Sequence, residues 1–309
     1  MQFPRLSEAM RLTRLEPPAG RVTMVLDTDT YNEVDDQFAV AYALLSPEKL
    51  TVEAIYAAPF FNDRSTGPAD GMEKSYQEIL RLLELLEKPA EGRVFRGSTA
   101  YLPDWDHPVE SPAALDLIER AMQRSPEDEP LVVVAIGAIT NVASAILLEP
   151  RIIERVVVVW LGGHAFFWPD TREFNLMQDV PAARVIFDSG VPLVQLPCMG
   201  VVSHLHTTVA ELERYVQGRS RIGDYLTEIV RSYQGNPFAW SKVIWDISSI
   251  AYLIDARWTP GALVHSPIVT DDLTWSFDPR RHFIRSVYAI DRDAIFRDLF
   301  TRLAQAGVG

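Results

Sequence analysis

Apolar residues in this chain fall into two kinds of run that alternate along most of its length. Residues 22–26, 50–58, 131–136, 156–161 and 191–196 are short, unbroken and rich in β-branched side chains, the pattern of strands buried on both faces. Residues 94–96 and 283–288 read as further strands. Phe38, Ala41, Leu44 and Leu45 recur at helical spacing until Ser46-Pro47 stops them, and residues 75–86 carry a leucine-rich helical period. Ser111-Pro112 supplies an N-cap and a first-turn proline for a helix over 113–122. Helices are also predicted over 140–148, 181–187, 209–216, 226–233, 247–254 and 294–304. A turn-rich loop over 59–70 and an irregular excursion over 98–112 complete the pattern. Strands and helices alternating in this way imply an α/β architecture, a doubly wound, mainly parallel sheet with helices on both faces. No repeat and no Ser/Gly/Pro linker divides residues 1–309, so one domain is expected.

Composition narrows the partners. Of 309 residues, 48% are hydrophobic and 23% charged, enough apolar material for a large core. A net charge of −13 argues against nucleic acid or an anionic membrane, both of which need clustered Lys and Arg. Cys198 is the one cysteine and has no partner for an internal disulfide. The first residues, Met1-Gln2-Phe3-Pro4-Arg5, lack the apolar core of a signal peptide, which makes the cytoplasm the expected compartment. No apolar run approaches the roughly 18–20 residues of a membrane span.

Chemistry concentrates where the first strand ends. Asp27, Asp29, Glu33, Asp35 and Asp36 occupy the turn between that strand and the helix after it. A helix N-terminus offsets only about 0.3–1 kcal/mol of like-charge repulsion per group, so a cation is expected there. Carboxylates are hard oxygen donors and suit Ca²⁺ or Mg²⁺, with Ca²⁺ favoured where several of them converge with backbone carbonyls. Two later segments fit the same picture: Ile136-Gly137-Ala138-Ile139-Thr140-Asn141, at a second strand-to-helix turn, and Asp246, set between Trp245 and Ile247. A carboxylate in that apolar setting requires a partner.

These segments together resemble the nucleoside hydrolases (nucleoside N-ribohydrolases), whose first strand ends in Asp-x-Asp-x-x-x-Asp-Asp. Asp27-Thr28-Asp29 and Asp35-Asp36 match both halves, although residues 30–34 make a five-residue spacer where the common form has three. The resemblance continues through Gly137-x-x-Thr140-Asn141, residues 148–156, Gly162-Gly163 and Glu173-Phe174-Asn175. It implies a Rossmann-like, mostly parallel central sheet and a Ca²⁺ cofactor held by Asp29, Asp36, Asp246 and the backbone carbonyl of Ile136. It makes Asp29 the general base and Asp35 the acceptor of the ribose diol, with Asn62, Glu173 and Asn175 as further ribose contacts. Trp245 stands where inosine–uridine-preferring members carry a histidine. Purine-preferring members have tryptophan there, which points to Trp245 stacking on a departing purine, with Trp105 as a second stacking face. The implied substrate is a ribonucleoside and the implied assembly a homodimer or homotetramer.

Two other readings fit parts of the sequence. Val25 to Thr30 is also similar to the Asp-x-Asp-x-Thr motif of haloacid-dehalogenase-like phosphatases, in which Asp27 would be a nucleophile and Mg²⁺ the cofactor. That family also needs a downstream lysine and a later acidic pair, whereas Lys242 is the only lysine in the last two thirds of this chain. A ribose-binding protein without turnover is the other, suggested by the longer spacer and by Phe167, where members often carry asparagine. His107 and His164 are candidate acids near the inferred mouth of the site.

Overall fold

A computed structural model describes residues 3–236 and 238–307, so Met1 and Gln2 of the N-terminal stretch discussed above lie outside it. Six strands build the centre of the molecule: β1 (Val22–Thr28), β2 (Leu50–Ala57), β3 (Val94–Arg96), β4 (Leu131–Ala135), β5 (Val156–Leu161) and β6 (Leu193–Leu196). With the strands Phe283–Val287 and Gly261–His265 they form one eight-stranded sheet in the order β3-β2-β1-β4-β5-β6, then Phe283–Val287, then Gly261–His265. Every neighbouring pair is parallel except the last, where Gly261–His265 runs antiparallel to Phe283–Val287. The mainly parallel α/β sheet expected from the apolar runs is therefore present.

Alternation along each strand divides the core in two. Met24 and Leu26 of β1, Val132 and Val134 of β4, and Val157 and Val159 of β5 face one helical layer, which includes α2 (Asp36–Leu44) and the helix Ile247–Ile254. Val25, Val133, Val158 and Trp160 face the other, which holds α4 (Pro112–Met122), α5 (Thr140–Leu148) and α7 (Val180–Asp188). Burial on both sides is why these strands read as unbroken apolar runs. The chain winds outward from β1 through β2 to β3, then returns to place β4 on the other side of β1. The β1/β4 junction is thus the topological switch point, the place where open α/β sheets leave a crevice for ligands.

Some boundaries differ from the pattern reading. The helix predicted over 75–86 is α3 (Pro68–Leu85), seven residues longer at its start. Gly67, Pro68 and Gly71 look like loop residues, but Pro68 occupies the first turn of the helix, where its missing N–H is harmless. At Gly71 a Cβ would stand 2.0 Å from the Phe60 carbonyl oxygen, so glycine is what lets α3 lie against the segment leading to Asn62. Gly71→Ala is expected to destabilise the fold by about 3 kcal/mol, seen as a fall of several degrees in thermal midpoint, and to raise KM by displacing Asn62. An unchanged midpoint would show that α3 can shift freely. The helix predicted from 226 begins at Arg221, where Ser220 accepts from the Gly223 N–H at 3.0 Å. The short helices α1 (Glu8–Arg14) and α6 (Phe174–Gln178) and the edge strand Gly261–His265 were not expected from the pattern. No helix among the described residues is long and apolar enough to cross a membrane.

Candidate active site

The carboxyl ends of β1, β4 and β5 surround the acidic turn. From β1 the backbone bends at once, the Asn32 N–H donating to the Asp29 carbonyl at 2.7 Å, and re-enters regular structure at Asp36. Thr28 steadies the return by donating from its hydroxyl to Asp36 at 2.5 Å. Gly137, in the turn after β4, makes the close approach possible: a Cβ there would meet the Asp29 carboxyl carbon at 2.9 Å. Asp27 points elsewhere. It is fully buried and accepts from Asn141 at 2.7 Å, which anchors the start of α5 to β1 and leaves Asp27 no route to a substrate.

Three distant segments converge here. Oxygens of Asp35, Asp36 and Asp246 lie within 4.8 Å of one another, and the Asp29 carboxylate adjoins that of Asp36. Asp35 and Asp246 both stand at helix N-cap positions, yet neither spends its side chain on a cap hydrogen bond. Burial first, and then the neighbouring acids, push Asp29 and Asp246 well above the usual carboxylate range. Asp36 is raised to about 7 by burial and by Asp35. Burial also lifts Asp35, to about 6, against the opposing pull of Lys242. Both oxygens of Asp29 are sealed from solvent without a hydrogen-bond partner.

Four buried carboxylates so arranged, one with both oxygens orphaned, fit a divalent cation that prefers oxygen ligands. Ile136 lines the same cavity, and its carbonyl is another oxygen at the end of β4. It accepts from the Asn175 amide at 3.1 Å, which leaves one of its two lone pairs.

Above the acids opens a cavity of about 300 Å³, lined by Asp35, Asp36, Asp246, Ile136, Asn62, Glu173, Asn175 and Trp245 among others. That volume is at the lower end for a small-molecule site. Glu173 is largely consumed by its own helix: it accepts from the backbone N–H groups of Gly163, Asn175 and Leu176 at 2.9–3.0 Å, which caps α6. Asn175 donates both amide hydrogens, to the Ile136 and Leu161 carbonyls, so only its side-chain oxygen faces a ligand. Asn62 is held by Asn32, to whose side-chain oxygen it donates at 2.6 Å.

Of the residues singled out from sequence, Asp29 is fully buried outside the cavity lining, and Trp105 is not brought to the cavity. It is 55% exposed in the excursion between β3 and α4. His107 is also a surface group, paired with Asp104 at 2.8 Å. His164 does line the cavity, but burial lowers its pKa and its Nδ1 accepts from the Met199 N–H at 3.3 Å. The neutral ring therefore carries its proton on Nε2 and can donate a hydrogen bond without acting as an acid near pH 7. Sequence reasoning placed Glu33 in the acidic turn but did not single out Asn32, Arg172 or Met199 as cavity residues. Nor did it place Lys242 against Asp35, at 3.9 Å; nothing local marks any of them.

A doubly wound sheet with an acidic, cation-competent pocket at its switch point defines a class of enzyme that handles small polar ligands. The comparisons make that particular. The family model described as inosine-uridine preferring nucleoside hydrolase matches residues 24–295. The chain belongs to this family of N-glycosyl hydrolases acting on ribonucleosides. The pyrimidine-specific ribonucleoside hydrolase RihA of Klebsiella pneumoniae is 27% identical over 280 residues, covering 83% of this chain and 79% of the relative. Among solved structures, the purine-preferring ribonucleoside hydrolase from Gardnerella vaginalis superimposes with a TM-score of 0.75 at 19% identity, over 93% of this chain and all of that one. An inosine-guanosine nucleoside hydrolase gives 0.74 at 16% identity, over 92% and 98%. These structural likenesses establish the fold. Membership in the family, with Asp27 locked to Asn141, displaces the phosphatase reading.

Proposed function

We propose that the chain is a Ca²⁺-dependent hydrolase of the N-glycosidic bond of ribonucleosides, with a preference for purines. The observation that carries the metal reading is the pair of sealed, unpartnered oxygens on Asp29, set against Asp36 with Asp246 and Asp35 close by. Asp29, Asp36, Asp246 and the Ile136 carbonyl would hold the ion. Once bound, Ca²⁺ would supply a Lewis acid for the vicinal hydroxyls of the sugar and for a water.

The remaining work falls to the chain's own groups. Asp35 accepts from the ribose diol, and the Asn175 oxygen and Asn62 fix the ring's orientation. Glu173 contributes chiefly by capping α6 and so placing Asn175. Asp29, the general base, takes a proton from the attacking water as the C–N bond breaks. Trp245 is half-buried against the core at the cavity wall, its backbone N–H donating to Asp35 at 3.1 Å. That anchors an indole face on which a purine can stack while it leaves.

A panel of purine and pyrimidine ribonucleosides, assayed for free ribose with and without a chelator, tests the whole reading. Release from purines only, abolished by chelation, is the expected result. Faster release from pyrimidines would overturn the base preference and leave the hydrolase standing. Trp245→Ala is expected to raise KM for purine nucleosides about tenfold, from a loss of about 1.4 kcal/mol of stacking, with a smaller effect on pyrimidines. Equal effects on both classes would remove Trp245 from base recognition.

A further inference from the structure

The five-residue spacer carries a charged network of its own. Glu33 lies in it and binds the Lys242 ammonium, which sits 3.9 Å from Asp35. Lys242 is only 7% exposed, and its backbone is held in a short antiparallel ladder opposite Thr207. Tyr233 completes the enclosure: its ring lies 5.4 Å from the ammonium, and its hydroxyl donates to Glu33 at 3.1 Å. Arg64 pins the spacer backbone by donating to the Glu33 carbonyl at 2.8 Å. A buried lysine with two acids and an aromatic face around it cannot swing away cheaply.

This network bears most directly on one acid of the cluster. Asp35 has one oxygen on the Trp245 N–H at 3.1 Å and the other facing Lys242, whereas Asp29 has no partner on either. Asp35 is nonetheless close enough to Asp36 and Asp246 to join them around an ion. We propose that Lys242, fixed by Glu33 of the long spacer, is a positioning residue that holds Asp35 off the cation and reserves it for the sugar's hydroxyls. The inference rests on the metal and diol roles given under the proposed function. It gives the longer spacer a purpose, since the spacer supplies the acid that keeps Lys242 in place.

A cation that restrains a carboxylate and one that merely ties two segments together differ in sign. Calorimetric Ca²⁺ titration of the chelator-treated full chain should therefore be run on the wild type, Lys242→Met, Lys242→Arg and Glu33→Gln, beside steady-state kinetics with a purine ribonucleoside. In Lys242→Met, Ca²⁺ is expected to bind about 3- to 10-fold more tightly, because a positive charge is gone and Asp35 is released toward the ion. KM for the nucleoside is expected to rise at least about tenfold, with a smaller change in kcat. Lys242→Arg should restore most of both. Glu33→Gln removes the acid that keeps Lys242 in place and should raise KM in the same direction as Lys242→Met, by less. Weaker Ca²⁺ binding in Lys242→Met, or an unchanged KM in either Lys242→Met or Glu33→Gln, would each overturn the inference. Failure of Lys242→Met to fold would leave the Glu33→Gln result to decide. If the wild type itself binds no Ca²⁺, the metal reading falls first, and that outcome is separable from the others.

Discussion

Asp29→Asn is expected to lower kcat/KM for ribonucleosides by at least about 1,000-fold while leaving the chain folded. The magnitude follows from two losses at one atom: general-base catalysis, worth about 10²–10⁴-fold, and one carboxylate of the cation's donor set. The substitution changes almost no volume, and Gly137 leaves room for a side chain of that shape. Its effect on stability should have the opposite sign. Without a cation the wild-type carboxylate is buried against Asp36 with both oxygens unpaired, a destabilising arrangement. An asparagine there removes a like charge and can donate to Asp36. Chelator-treated Asp29→Asn should therefore melt at or above the chelator-treated wild type, and Ca²⁺ should raise its midpoint by less. A folded variant that still hydrolyses nucleosides at near-normal rate would remove Asp29 as the base and with it the mechanism proposed above.

The acids could be picked out in the sequence because local structure gives them nothing to do. A solvated loop or a helix cap accounts for one or two carboxylates after a buried strand, but not for Asp27, Asp29, Asp35 and Asp36 together. Asp246 stood out for the same reason, an acid flanked by Trp245 and Ile247. Their convergence at the β1/β4 switch point follows from a strand order that the sequence does not display. Lys242 stayed inconspicuous, and His164 stood out only by its place near the inferred mouth, because each is an ordinary residue locally, and its neighbours in space come from segments far along the chain. Trp105 illustrates the reverse. A tryptophan in a loop has no periodicity to aim it, and here it faces solvent.

The same division applies to the fold. Strands β1, β4 and β5 were readable because burial on both faces leaves only apolar residues tolerable along them. Gly261–His265 is an edge strand with an intermediate-to-exposed pattern throughout, and it exists through pairing with Phe283–Val287 rather than through its own composition. The start of α3 was hidden by Gly67, Pro68 and Gly71, residues that usually mark a loop. Gly71 is there because Phe60 passes so close, a constraint visible only once both segments are placed.

Removing divalent ions is expected to abolish hydrolysis and also to make stability fall more steeply as pH rises. In the ion-free chain Asp35 and Asp36 are raised from 3.8 to about 6 and about 7, and Asp29 and Asp246 are also raised well above the usual carboxylate range. Between roughly pH 4 and 7 the folded chain therefore holds protons that the unfolded chain has released. Stability changes with pH in proportion to protons bound by the unfolded state minus those bound by the folded state, so it falls as pH rises through that window. Each fully shifted group contributes a slope of about 1.4 kcal/mol per pH unit. Asp27, raised to about 7 by burial against the opposing hydrogen bond from Asn141, adds the same sign whether or not an ion is present. With saturating Ca²⁺ the clustered acids are ionised in the folded state, and lowering the pH must expel the ion to protonate them. The ion's contribution to stability therefore grows with pH, reaching about 2.7 kcal/mol where free Ca²⁺ is 100-fold above its Kd. The rise in thermal midpoint on adding Ca²⁺ should accordingly be larger at pH 8 than at pH 5. Parallel pH profiles in the two conditions would mean that the ion does not bind these carboxylates, and the site would have to be assigned another occupant.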